Sequence, residues 1–158
     1  MQKHTAIGTK FVQRTQAANA VYSATVNPSI PFDDTNPQSG EGVEIITCAI
    51  TPKSTANRLS VQGCVWGSYS ANVLGQVALF RDAGADALQV GSIFSPLDNI
   101  MPNLIDYDMA VPAAGAAITF KIRVGAHAAA TFYHCGQAAA RKFGGAMAAT
   151  LIITEYKA

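Results

Sequence analysis

The chain has 158 residues, 49% of them hydrophobic and 13% charged, with a net charge of +1 at pH 7. That length suits one domain with a real core, and the charged fraction is about half that of an average soluble domain. So sparse and balanced a charge excludes a charge-expanded disordered chain. It also argues against a nucleic-acid binder, which needs a basic excess to displace counterions from phosphates.

In chain order, the start from Met1 to Lys10 lacks the apolar stretch of a secretory signal. Alternation of period two then recurs, and helical periodicity is scarce. Strands are predicted over residues 11–14, 21–26, 43–50, 59–65, 73–80, 88–94, 105–109, 118–124, 131–135 and 151–156. The clearest has Ile118, Phe120, Ile122 and Val124 on one face and Thr119, Lys121 and Arg123 on the other. That is the pattern of a half-buried antiparallel strand. Asn27-Pro28, Asn36-Pro37, Thr51-Pro52, the run 82–86, Ser95-Pro96 and Met101-Pro102 read as breakers. Short strands at steps of about 8–12 residues predict a β-sandwich or barrel. Residues 137–142 suit one helical turn or a loop, bounded by Gly136 and Gly144-Gly145. No apolar stretch reaches the roughly 18 residues of a membrane span. Neither nucleic acid nor membrane is therefore an expected partner.

Residues able to do chemistry are few. Cys48, Cys64 and Cys135 match no zinc or thioredoxin spacing. They read as buried or half-buried thiols of a protein made in a reducing cytoplasm, with a Cys48–Cys64 disulfide as the alternative. His127 and His134 are seven residues apart, as if on two strands of one hairpin, where a metal pair is geometrically possible; the commoner reading leaves His127 exposed in a turn and His134 packed or interfacial. Cys135 follows His134 directly, and adjacent strand residues point to opposite faces, so the two are not expected to meet. The acidic stretch from Phe32 to Glu44 offers oxygens to calcium without the spacing of an EF-hand loop. It reads as a solvated connection whose Asp and Asn cap turns. Asp82 and Asp86 belong to a hairpin tip, and Asp106 and Asp108 read as exposed alternates on one strand face. Phosphate-binding glycine motifs, nucleophile elbows and zincin helices are absent from the sequence. The expectation is no catalytic residue, no cofactor and no metal. Among the aromatics, Trp66, Tyr69 and Tyr133 are the candidates for a surface-binding platform, against the commoner role of core or cross-strand pairs.

The segment Ile30-Pro31-Phe32-Asp33-Asp34-Thr35-Asn36-Pro37-Gln38-Ser39-Gly40-Glu41-Gly42 resembles an IP(F/Y)DDTxPQxxEG element of a domain family in structural proteins of tailed bacteriophages. Three later pieces fit the same pattern in order: Ala49 to Leu59, Val77 to Asp82, and Ala140 to Ala148. The resemblance runs from about Gln13 to the C-terminus. It implies an all-β, antiparallel, jelly-roll-like sandwich of roughly 8–10 strands over residues 13–158. Residues 1–12 would form an N-terminal leader or arm, with Lys3 and Lys10 as candidate virion-anchoring residues. It further implies a non-enzymatic surface protein of the virion, made in the host cytoplasm. In that role a homotrimer decorates or cements the capsid, its partners being itself and the major capsid protein or other virion proteins. The alternative is the receptor-binding tip of a tail or head fibre that recognises a host surface glycan or protein. A fibre shaft would need coiled-coil heptads or a collagen-like repeat, and the sequence has neither.

Overall fold

The computed structural model describes residues 10–158. In chain order its strands are β1 (Phe11–Asn19), β2 (Ser23–Val26), β3 (Val43–Ile50), β4 (Asn57–Tyr69), β5 (Val73–Arg81) and β6 (Gln89–Ser95). They continue with β7 (Met101–Ala110), β8 (Ile118–Ala126), β9 (Thr131–His134), β10 (Gly136–Gln137), β11 (Ala140–Arg141) and β12 (Ala149–Lys157). Eight long strands build two antiparallel sheets. One runs β1-β12-β4-β7, the other β3-β8-β5-β6. Apart from the β5–β6 hairpin, consecutive long strands thus cross between sheets and return in nested pairs, which is the double Greek key of a jelly roll. Gly67 of β4 pairs Met101 on one edge and His134 on the other, so β9 continues the edge that β12 covers lower down. β2 then pairs with β9 at that end.

Period-two patterning builds the core. β8 points Ile118, Phe120, Ile122 and Val124 inward, β4 points Leu59, Val61 and Val65, and β12 points Leu151 and Ile153. A bulge in β3 between Glu44 and Ile46 lets two successive residues, Ile45 and Ile46, both be buried. The sequence Gly63-Cys64 places a glycine inward, where a Cβ would collide with the side chain of Ile122.

Side-chain amides close both open edges of the sandwich. Gln89 of β6 donates to the Asp106 carbonyl (2.8 Å) and accepts from the Asp106 N–H (3.2 Å), clipping β7 to the other sheet. On the opposite edge Asn19 donates to the Ile45 carbonyl (2.8 Å) and Gln13 to that of Thr51 (2.7 Å). Edge backbone groups are thereby occupied without the charges that commonly guard strand edges.

Three expectations are corrected. Met101-Pro102 does not break the chain: Pro102 sits opposite Trp66 as the second residue of β7. Among the described residues β7 pairs only with β4, and an edge strand tolerates a residue without an N–H. Residues 137–142 form no helical turn. Ala138 (φ 48°) and Ala139 (φ 58°) take left-handed conformations and close the tight β10–β11 hairpin. His127 and His134 do not share a hairpin, because β8 and β9 belong to different sheets.

One charged group lies in the inward row of β12. Glu155 is fully buried. Its carboxylate accepts from Asn57 Nδ2 (2.6 Å), Gln13 Nε2 (2.6 Å), the Lys53 N–H (2.9 Å) and the Ser54 N–H (3.3 Å). Burial disfavours its charge, but these bonds outweigh that and hold its pKa below the usual glutamate value. A lowered folded pKa means the stabilisation is full above the ordinary value, about 4.3, and is lost as pH falls through the lowered one. Glu155→Gln is expected to cost about 2–3 kcal/mol at neutral pH, the scale of hydrogen bonds to a charged group. It should also flatten the loss of stability below about pH 4.3. Denaturant titrations of both proteins across this range check both effects.

Candidate functional site

The acidic segment that carries the resemblance is a strap. β5 points Gln76, Ala78 and Phe80 away from the main core, and Ile30 and Ala87 bury Ala78 and Phe80 in a second, smaller cluster. Backbone and side-chain bonds fasten the strap. The Ala87 N–H donates to the Pro37 carbonyl (2.9 Å), and Asn36 Nδ2 returns a bond to the Ala87 carbonyl (3.1 Å). Gln38 reaches Asp86 (2.8 Å), and Arg123 donates to the carbonyls of Glu41 (2.6 Å) and Gly42 (2.8 Å). Gly125 is needed beneath it, since a Cβ there would lie 2.7 Å from the Ile30 backbone nitrogen. Asp33 caps a turn, its Oδ1 accepting from the Thr35 hydroxyl (2.6 Å) and N–H (2.8 Å). The hydroxyl bond first, and then the backbone bond, hold its carboxyl below the usual aspartate pKa. Among the described residues no group of three or more His, Cys, Asp or Glu is placed to hold a metal ion.

The aromatic candidates separate. Tyr69 is 1% exposed, packs its ring against Phe132 with centroids 5.0 Å apart, and donates its hydroxyl to the Gly125 carbonyl (2.7 Å). It is a core residue, not part of a surface platform, because its position on β4 faces inward. Burial pushes its pKa up. Trp66 lies on the outer face of the first sheet, half in solvent. Tyr133, half-buried, shares that face through its pairing with Ser68. Lys10 is exposed, and its carbonyl accepts from the Lys157 N–H (2.9 Å); Lys3 lies outside the described residues.

Around Trp66 the outer face is apolar. Cys64 is flanked in register by Leu104 and Thr150, and Trp66 by Pro102. Leu104 is 62% exposed. A shallow cleft joins Trp66 to Phe143, Ala146 and Met147, on the segment after β11, and Phe143 is 71% exposed. That segment holds left-handed backbone at Phe143, Gly144 and Gly145, close after Ala138 and Ala139. Such strain in non-glycine residues is typical of sites kept for function. The other half of the face is polar: Asp108 accepts from Arg58 Nε (2.5 Å) and from the Tyr156 hydroxyl. Asp106 and Asp108 are exposed, as expected from their alternation with buried Ile105.

His134 and Cys135 do meet, against expectation. Cys135 adopts φ 52°, which ends the extended strand and swings its thiol back to 3.3 Å from His134 Nε2. The alternation rule holds only while the backbone stays extended. His134 Nδ1 faces the Val21 carbonyl at 3.0 Å. Burial lowers the imidazole pKa against that bond, and burial raises the thiol pKa. Both groups are therefore held neutral in a sealed position, where a thiolate nucleophile is disfavoured. His127 is exposed, and its Nδ1 accepts from the Leu74 N–H (3.0 Å).

Sequence patterning missed two residues: Glu155 and Gln76. Glu155 was detectable from its parity with Leu151 and Ile153. Gln76 was detectable as the lone amide in an otherwise apolar run from Val73 to Phe80.

No protein-family model and no curated protein sequence matches the chain. Among solved structures it is similar to infectious bursal disease virus, Gx strain, at 10% identity and a TM-score of 0.43, over 92% of this chain and 36% of that one. It is similar to the VP2 subviral particle of infectious bursal disease virus at 17% identity and a TM-score of 0.33, over 92% and 37%. A third likeness is to the enzymatically active domain of tailspike protein 4 of bacteriophage CBA120, at 14% identity and a TM-score of 0.28, over 77% and 18%. The chain spans little more than a third of the length of these structures at most. Likenesses this loose carry no argument about function, and the jelly roll stands on its own strand order.

All three thiols are free. Cys48 and Cys135 are buried, whereas Cys64 is half-exposed with its pKa raised by partial burial. Iodoacetamide is expected to label Cys64 alone in the native protein, more slowly than a free cysteine, and all three after unfolding. Peptide mass spectrometry reads the sites.

Proposed function

We propose that this chain is a non-enzymatic surface protein of a bacteriophage particle, a homotrimer that decorates and cements the capsid. The apolar band Trp66–Leu104–Phe143 on the outer face of the first sheet carries the proposal. Exposed aromatic and aliphatic anchors ringed by polar groups are the composition of a protein interface. The co-linear sequence elements supply the setting, because their likeness is to structural proteins of tailed phages. The strap built from the first of them does structural work, roofing the second sheet. A subunit that binds only the assembled lattice stabilises that lattice by mass action, and trimerisation turns weak contacts into avidity. The leader, with Lys3 and Lys10, would serve as the anchoring arm.

Immunogold electron microscopy of the parent particle tests the location. Gold spread over the heads is expected; gold confined to tail tips, or no label, overturns the capsid role. Removal of residues 1–10 is expected to leave the trimer folded and to lower its occupancy on particles.

Leu104→Asp places a charge in the band and is expected to convert the trimer to monomer with unchanged far-ultraviolet circular dichroism. Light scattering coupled to size exclusion measures the mass. A variant that stays trimeric removes the band from the subunit interface.

A further inference from the structure

The strap leaves one place on the second sheet uncovered from within. Between strap and sheet lies a cleft of about 320 Å³, lined by Phe32, Asp33, Asn36, Gln76, Val90 and Ser92 among others. Gln76 forms its floor. It is 2% exposed, and neither its Oε1 nor its Nε2 has a hydrogen-bond partner. Asn103, the other residue with an unpartnered buried atom, still donates its Nδ2 to the Val65 carbonyl. Gln76 alone, among the described residues, keeps a whole buried amide unused. Native proteins seldom leave such a group unmatched without a role for it. Its place is rigid: β5 is paired on both sides, with Gln76 opposite Ser92 of β6 and Gly125 of β8.

The surroundings define what would complete it. A carboxamide offers an NH2 donor group and a carbonyl acceptor side by side. Phe32 borders the cleft, 65% exposed, with an apolar ring face available. Asp33 is held ionised by its turn with Thr35, and Asp34 follows it. Among the described residues no basic side chain lines the cleft, so an anionic ligand is disfavoured. The volume is at the small end of ligand pockets, roughly 300–1,000 Å³. A single compact ring fits that size better than an extended peptide, whose successive amides need a free sheet edge.

We propose that this cleft binds a neutral hexopyranose. Both amide atoms are sealed from solvent and β5 is fixed on both sides, so the strap must give way for two vicinal hydroxyls to pair with the Gln76 amide, one accepting from Nε2 and its neighbour donating to Oε1. The C–H face of the ring would rest on Phe32. This site lies on the sheet opposite the Trp66 band, so sugar binding depends on neither trimerisation nor capsid attachment.

The test uses the full chain, labelled with nitrogen-15. Methyl α-D-glucopyranoside, methyl α-D-mannopyranoside and methyl β-D-galactopyranoside are titrated separately while the Gln76 side-chain amide signals are followed. At least one glycoside is expected to shift them saturably. Gln76→Leu fills the same space without polar atoms, so it should abolish binding while melting no lower than the parent. Phe32→Ala, at an exposed position, should weaken binding about tenfold or more. Dextran or mannan binding at least tenfold more tightly per ring than the matching glycoside identifies a polysaccharide source; equal affinity identifies a free sugar. The proposal is overturned if no glycoside saturates, or if binding survives Gln76→Leu. Saturation by N-acetylalanine methylamide in place of every sugar overturns it in favour of a peptide.

Discussion

A buried carboxylate held by amides and backbone N–H groups organises one end of this jelly roll. Glu155 occupies a core position of β12, where an ionised group is costly unless donors surround it. The donors come from β1 (Gln13), the β3–β4 connection (Lys53 and Ser54) and β4 (Asn57). Satisfying one charge therefore fixes four separate pieces of chain relative to one another. Neutral amides and backbone N–H groups do this without importing a second charge into a chain that has few. The same economy closes the sandwich edges, where Gln89, Asn19 and Gln13 take the place of backbone partners.

The strap is a second layer built on the same chemistry. A jelly roll ordinarily has two solvated outer faces. Here Ile30 and its neighbours cover Ala78 and Phe80, so most of β5 is buried on both sides. Gly125 permits the close approach, and Arg123 ties down the carbonyls at the end of the strap. Among the described residues the first sheet receives no such cover. Its outer face keeps Leu104 and Trp66 in solvent, beside a segment whose left-handed residues at Phe143 and Ala139 no local preference favours. Strain and exposed apolar surface coincide there, and neither stabilises the isolated subunit.

Alternation located β4, β7 and β8, because one buried face imposes period two on sequence, and seven further strands were read as segments between turn residues. It placed Asp106 and Asp108 on the exposed face for the same reason. It failed where the backbone leaves the extended state. Cys135 reaches His134 only through φ 52°, which no spacing of side-chain types encodes. It also stopped short at residue 65: carried on along β4, the same parity sends Trp66 to solvent and Tyr69 into the core.

The sequence by itself determined an all-β sandwich, its turns and its main inward rows, since patterning and turn chemistry are local properties. Only the tertiary structure decided which strands share a sheet, that the acidic segment is a roof, and that Gln76 lies beneath it unpartnered. Those facts depend on contacts between residues far apart in the chain. Gln76 and Phe32 meet one cleft because a strap crosses a sheet, and no local pattern records that crossing.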